Sequence, residues 1–401
     1  MISWRLKTRS LRPIGLDIGH DSIKMIQLAV NNDRVSVIAA DKVRVDANIN
    51  GDGEERRRSI VAAIKRMLAK GGFRGRNVVS CLPNDRLKIT SLRLAEAETD
   101  QIEHALTREA VHRFGLNPDK DTVKYIIAGS VRQGDEIKNE LILFATDGET
   151  LKSHIALLEE AQLRPVAIDN VPCALFRSFE RSLRRQDDRE HTLVFVDVGS
   201  RFTTLVFGRG TEICFIKQIN IGGEKFNREI AARLGINTDE VQILRSRLRM
   251  ERGLPPPWSG LTGQAPADSI QRLDASTRQT IVDATTAIAE KLAREITLCL
   301  RYYTVTFRGK SVEKTFLSGG QAYEDILLDV LAQRLNLEVE VARPLRGFDM
   351  KNVTLDVSEQ DLFCEWAVAV GLSFKGCQWV STDGGYRQVP QVERRTFKNS
   401  R

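Results

Sequence analysis

No stretch of the chain approaches the roughly 18 uncharged apolar residues that a membrane-crossing helix requires. The basic segment 1–12 is followed by Pro13 and a strand-like run instead of the apolar core of a secretory signal, so secretion is not expected. Aromatics are sparse. The four tryptophans and five tyrosines are not interleaved with basic clusters, which argues against a stacking platform for single-stranded nucleic acid. The six cysteines (Cys81, Cys173, Cys214, Cys299, Cys364, Cys377) include no Cys-x-x-Cys pair, and the five histidines are scattered. Reduced buried thiols are therefore expected, with no zinc site. A continuous charged stripe is also missing: the net charge of +7 comes from clusters within 5–12, 177–189 and 387–401, read as solvated ends and a solvated linker.

What the chain does have is ample apolar material: 42% hydrophobic against 28% charged residues over 401 positions, enough for two or three cores. Residues 14–18, 23–30 and 35–40 read as strands, followed by a helix over 54–70 and a strand over 77–82. The texture then changes. A strand over 87–94, a helix capped by Thr99 and ended at Gly115, and strands over 123–127 and 140–145 make a small α+β insertion. A helix over 149–161 and a strand over 165–168 return to the first core. After the charged connection 181–191 the pattern restarts with strands over 193–198, 203–208 and 213–219. Helices are expected from Gly222-Gly223 and over 239–249, then a Pro- and Gly-rich mobile loop over 252–268 and a long helix over 277–302. A strand over 314–317, a helix to Leu335, a strand over 339–341 and a helix over 362–372 complete the second half. The residues from about Val380 read as frayed.

The restart is an internal repeat. Residues 16–19 are Leu-Asp-Ile-Gly and residues 196–199 are Val-Asp-Val-Gly, each closing one strand and leading into another. A glycine turn lets backbone N–H groups approach a phosphate. An aspartate at the strand end offers a hard oxygen to hydrated Mg²⁺. Two such hairpins can clamp one nucleoside triphosphate. A third element, Phe316-Leu-Ser-Gly-Gly320, runs a strand into two glycines and then a helix, a turn that can lie against a base or ribose.

These three elements resemble the actin, sugar-kinase and heat-shock-protein-70 superfold over about residues 13–376. The resemblance implies an α/β fold of two lobes with duplicated ribonuclease-H-like cores, gripping ATP and Mg²⁺ in a central cleft. Within it, the chain is similar to the type IV pilus assembly protein PilM family, actin-like relatives of the cell-division protein FtsA. The carriers are Gly15-Leu-Asp-Ile-Gly-His-Asp-Ser-Ile-Lys24, Ile168-Asp-Asn-Val-Pro-Cys-Ala-Leu175, Ile221-Gly-Gly223 and Ala367-Val-Ala-Val-Gly-Leu372. The implied subdomains are 1A (13–84 and 148–180), 1C (85–147), 2A (190–221 and 303–379) and 2B (222–302), between a basic leader (1–12) and a basic tail (380–401).

The resemblance also implies a site. Asp17, Gly19, His20 and Lys24 form the first phosphate turn; Asp197, Gly199, Ser200 and Thr203 form the second. Gly222, Gly223 and Lys225 approach the adenosine, and Ser318, Gly319 and Gly320 complete the pocket. Asp17 and Asp197 hold Mg²⁺ through water. His20 stands where relatives carry a small hydroxyl residue, reading equally as a phosphate contact or a solvent-facing loop tip. Asp169 is the one carboxylate near the first connecting motif, a candidate base for hydrolysis or a structural hinge cap. The partner implied is a PilN-like inner-membrane protein, held by its N-terminal cytoplasmic peptide, which would place the chain in the cytoplasm at the inner-membrane face; self-association is a further partner reading. Nucleic acid is not implied. Two other readings stay open: a sugar-type kinase of the same superfold, and an FtsA-like filament. FtsA ends in an amphipathic membrane helix, whereas residues 386–401 carry Pro390 and almost no apolar face.

Overall fold

The structure is a computed structural model that describes residues 10–31, 34–45, 53–95, 102–117, 119–133, 135–180, 191–252, 272–307, 312–351, 353, 362–375, 377–382 and 385–390. The chain opens with a meander, β1 (Ser10–Ile18), β2 (Ser22–Asn31) and β3 (Arg34–Arg44), then α1 (Glu54–Lys70) and β4 (Asn77–Cys81). A 3-10 turn, Asn84–Arg86, leads into β5 (Lys88–Ala95), α2 (Ile102–Phe114), β6 (Thr122–Gln133) and β7 (Glu136–Thr146). The chain returns through α3 (Gly148–Glu160), β8 (Arg164–Asp169) and α4 (Val171–Glu180). The second half repeats the meander as β9 (Thr192–Val198), β10 (Thr203–Arg209) and β11 (Glu212–Ile219). Then come α5 (Gly223–Leu234), α6 (Thr238–Glu251), α7 (Ala275–Thr306), β12 (Val312–Ser318), α8 (Asp325–Leu335), β13 (Glu338–Val341), a 3-10 turn Cys364–Trp366, α9 (Ala367–Ser373), β14 (Cys377–Thr382) and β15 (Gly385–Pro390).

The two halves build the same sheet. Strand order is β3-β2-β1-β4-β8 in the first and β11-β10-β9-β12-β13 in the second: an antiparallel meander with two strands added in parallel. In β2 every residue from Ser22 to Val30 is buried. Both faces of that strand are covered, so its apolar residues fall on both sides and do not alternate with exposed ones, and Ser22, Lys24 and Gln27 are buried among them. On one face of the first sheet, Ile60, Ile64 and Met67 of α1 and Leu158 of α3 pack on Ile14, Leu16, Ile23 and Met25. On one face of the second, Ile288, Leu292 and Ile296 of α7 pack on Val194, Val196, Leu205 and Phe207.

The other two faces are covered crosswise. Helix α4 follows the first sheet but packs on the second, its Phe176 and Phe179 against Phe195 and Val206, with Phe179 stacked on Phe195 at 5.0 Å. Helix α9 follows the second sheet but packs on the first, its Ala369, Val370 and neighbouring Phe374 against Ile26, Leu28 and Val37. The two helices cross where Gly371 meets Ala174 so closely that a Cβ on Gly371 would stand 1.7 Å from the Ala174 carbonyl oxygen. Each sheet is thus tied to the other by the helix the other supplied. The three-stranded sheet β5-β7-β6 carries α2 on one side, with Ile102, Leu106 and Ala110 on Leu141 and Leu143. Its opposite side sends Leu87, Ala128, Ile142 and Phe144 into the core formed by α4 and the second sheet. No helix among the described residues is long and apolar enough to cross a membrane.

Three expectations need correction. Helix α4 has no counterpart among the expected elements: Val171, Pro172, Ala174, Leu175, Phe176, Ser178 and Phe179 are all buried, and only Cys173, Arg177 and Glu180 form a less buried stripe at helical spacing. The residues from Val380 are not simply frayed, because β14 and β15 pair as an antiparallel hairpin. The helix expected from Leu362 begins as the 3-10 turn at Cys364 and becomes α-helical only at Ala367. The expected connection within 181–190, most of the expected loop within 253–271 and the Thr99 cap lie outside the described residues.

Candidate functional site

The cleft between the two sheets is where the repeat comes together. It is lined by Asp17, Gly19, His20 and Lys24 from the first half, and by Asp197, Gly199, Ser200, Gly223, Gly319 and Gly320 from the second. Both turns are closed the same way: the Gly19 N–H donates to the Ser22 carbonyl at 3.0 Å, and the Gly199 N–H donates to the Phe202 carbonyl at 3.0 Å.

Both turns are also gripped from behind, by different means. In the first, the Arg56 guanidinium of α1 donates to the carbonyls of Gly19 (3.2 Å) and His20 (3.1 Å). In the second, the opening amides of α5 take that role. The Gly223 N–H donates to the Gly199 carbonyl (3.0 Å) and the Glu224 N–H to the Ser200 carbonyl (2.8 Å). In a trans peptide the N–H points opposite to its C=O. Drawing two successive carbonyls to one side therefore turns the N–H groups of His20 and Asp21, and of Ser200 and Arg201, to the other. Each turn becomes a small nest of amides suited to an anion.

Between the turns sits a dense charge cluster. Lys24 is buried, with Nζ 3.0 Å from Asp17 Oδ2. Burial opposes its charge, but Asp17, with help from Glu365 and Asp197, holds its pKa above the ordinary value. The Asp197 carboxyl is pushed up to about 6 by burial and then by the charge of Asp17. Its orientation is set by the Ser318 hydroxyl, which donates to Oδ1 at 3.2 Å. Two carboxylates from opposite halves thus face one another, and the strain of their like charges is only partly offset by Lys24.

Several expected residues stand elsewhere. The Thr203 hydroxyl is fully buried and donates to the Ile221 carbonyl at 2.6 Å, so it is committed to the backbone and not presented to the cleft. Lys225 is turned away from the cleft, into a separate surface depression with Asn220, Arg228 and Lys291. Gly222 does not line the cleft. A Cβ there would meet the Ser200 carbonyl oxygen at 2.5 Å, so the glycine lets α5 seat against the second turn. Ser318 acts on Asp197, as above. Asp169 is not a free base: its Oδ2 lies 2.8 Å from Arg177 and 3.2 Å from Lys375. Burial would raise its carboxyl, yet Arg177 and Lys375 hold it below the usual range. It ties α4 to the end of α9, the hinge-cap alternative. Gly319, at φ 89°, packs under the Val198 carbonyl, and Gly320 has open space beside it.

Other side chains in the cleft carried no sequence signal, because their neighbours come from distant chain positions. Lys42 pairs with Glu365 at 3.0 Å, and Tyr323 donates to the same carboxylate. Arg245 donates to Asn227 (2.7 Å), Gln321 (2.9 Å) and Glu324 (2.8 Å), binding α5, α6 and the turn after β12 into one wall. Arg44 of β3 reaches Gln242 of α6 across the mouth.

Comparisons with known proteins place the fold and the family. The family model described as type IV pilus assembly protein PilM matches residues 15–255 and 271–377. The chain belongs to that family. Among solved structures, it is similar to the PilM-PilN type IV pilus biogenesis complex, at 20% identity and a TM-score of 0.69, covering 92% of this chain and 98% of that one. It is also similar to the ethanolamine utilization protein EutJ from Carboxydothermus hydrogenoformans, at 13% identity and a TM-score of 0.52, covering 91% of this chain and 90% of that one. At these identities the likenesses establish the fold. It is the actin-like fold that the sequence resemblance implied, here in a pilus assembly family.

Proposed function

We propose that this family member is a nucleotide-binding scaffold of a type IV pilus assembly platform, or of a related type II secretion platform. Mg·ATP binds across the cleft, and lobe closure sets the surface offered to a PilN-like inner-membrane protein. The observation that carries the reading is the pair of turns, each gripped from behind with its amides turned outward and each following an aspartate that lines the same cleft. Triphosphate oxygens would accept from the amides of residues 20–21 and 200–201, and Lys24 would add a point charge. The Asp197 carboxyl, raised to about 6 by burial and then by the charge of Asp17, marks a place where a cation would relieve like-charge repulsion. No three His, Cys, Asp or Glu gather as a direct ligand set among the described residues. Magnesium, which keeps several of its waters, fits two carboxylates reached through water. When bound, it would neutralise phosphate charge and join the lobes.

Scaffolding fits this cleft better than fast hydrolysis. In-line attack needs a group that orients water, and Asp169 is held in its ion pairs with Arg177 and Lys375. A ligand that touches both halves favours the closed arrangement by its differential affinity. The PilN-like partner is supported by the family and by the complex in which the similar structure was solved. That partner would hold the chain at the cytoplasmic face of the inner membrane. Fluorescence polarisation with a labelled N-terminal cytoplasmic peptide of a PilN-like protein from the same organism tests the scaffold reading. Saturable binding that changes when Mg·ATP is added is expected. A peptide that does not bind with or without nucleotide counts against it.

A further inference from the structure

Beside the first turn there is a hydrogen-bonding gap. His20 lines the cleft with its side chain only 18% exposed, and its Nε2 is buried without a hydrogen-bond partner. The solvent-facing alternative for this residue is therefore set aside. The nearest carboxylate oxygen, Oδ2 of Asp85, is 4.0 Å away. The charged groups facing the imidazole come from four elements: Arg201 of the second turn, Asp85 of the 3-10 turn, Arg56 of α1 and Glu224 of α5. Burial first, then Arg201, holds the ring below its ordinary pKa, so it is neutral in the empty cleft at pH 7; Asp85 and Glu224 pull the other way.

Asp85 sits in the middle of the turn Asn84–Arg86, which roots the three-stranded sheet on β4. The same turn is fastened to the second lobe. Asn84 Nδ2 donates to Thr204 Oγ1 at 3.2 Å, and Asn84 Oδ1 accepts from Gln218 Nε2 at 3.1 Å. Three residues thus meet the first phosphate turn, the second sheet and the root of the β5–α2–β6–β7 module.

We propose that His20 is a positioning residue that reports a polyphosphate in the cleft to this module. Phosphate on the first turn draws a solvent proton onto the imidazole, and the imidazolium bridges the phosphate and Asp85, fixing the root turn. The inference rests on the nucleotide reading of the cleft. A neighbouring anion favours the charged ring, and both ring nitrogens of an imidazolium are donors. A hydrogen bond between two charged groups is roughly twice as strong as a neutral one, so the present 4.0 Å gap would tighten only when the cleft is filled.

Calorimetric titration of the full chain with a non-hydrolysable Mg·ATP analogue, in buffers of different ionisation enthalpy, tests this. The window is pH 7–8, where the Asp197 carboxyl (about 6) is already ionised. The unsubstituted chain takes up part of a proton per nucleotide, and hydrogen exchange in residues 82–95 slows on binding. His20→Asn binds more weakly with no proton uptake; Asp85→Asn binds with reduced uptake. Both lose the slowing at 82–95. Uptake and slowing unchanged in both variants overturn the link while leaving nucleotide binding intact. No binding by the unsubstituted chain overturns the link together with the reading on which it rests.

Discussion

The crossing of α4 and α9 makes a sharp prediction about Gly371. Its backbone has no left-handed φ, so alanine would be acceptable to the main chain. The obstacle is external: the added Cβ would lie 1.7 Å from the Ala174 carbonyl oxygen, 2.5 Å from its carbon and 3.0 Å from its Cα. All three are backbone atoms of another helix, so no side chain can swing aside. The helices must separate, and the move also pulls the Gly371 carbonyl from Arg177, which donates to it at 3.0 Å. Overpacking typically costs about 1–3 kcal/mol, and loss of a charge-assisted hydrogen bond adds roughly 1.5–3 kcal/mol. Gly371→Ala should therefore lose about 3 kcal/mol or more in urea unfolding, with little change in the slope that reports exposed surface. Gly320→Ala, with nothing within 4 Å of its Cβ, should stay near the parent. A Gly371→Ala midpoint equal to that of Gly320→Ala would refute the crossing.

Two other residues give direct expectations. His154 is buried with Nε2 3.1 Å from Ser80 Oγ, and burial lowers its pKa to about 4. In the unfolded chain it would titrate near 6.5, so above that pH it is neutral in both states. As pH falls from about 6.5 to about 4, the unfolded state alone gains the proton and stability drops, by up to about 3 kcal/mol at 1.36 kcal/mol per pH unit. His154→Gln should flatten that part of the stability–pH curve, and an unchanged acid slope would contradict the assignment. Thr203→Val should cost about 1 kcal/mol through loss of the bond to Ile221, while nucleotide affinity stays at the parent value; a large affinity loss would return the hydroxyl to the phosphate site.

The parts legible in the sequence were those whose cause is local. A strand, an aspartate, a glycine turn and another strand occupy one short segment, so Asp17 and Asp197 could be matched by pattern alone, and β2 and β10 read as strands. Helix α4 was missing because its ten residues leave only Cys173, Arg177 and Glu180 less buried, few positions from which to mark a helical period. The β14–β15 hairpin had a sequence signal, the pair Asp383-Gly384, which favours a tight turn. Lys225 and Thr203 were misplaced because sequence offset fixes a backbone position without fixing which way a side chain is drawn. Thr203 is drawn to the Ile221 carbonyl. The walls of the cleft needed three dimensions: Arg56 sits 37 residues from the carbonyl of Gly19 that it grips, and Lys42 sits 323 residues from Glu365.

In the proposed function, two carboxylate-bearing turns from opposite lobes hold one magnesium-bound triphosphate. Isothermal titration with Mg·ATP at pH 7.5, on the full chain and on Asp17→Ala and Asp197→Ala variants that melt cooperatively, tests it most directly. One site per chain is expected, weakened at least about tenfold, or about 1.4 kcal/mol, by either substitution. Absence of binding by the folded parent, or affinities for both variants equal to the parent's, would contradict it.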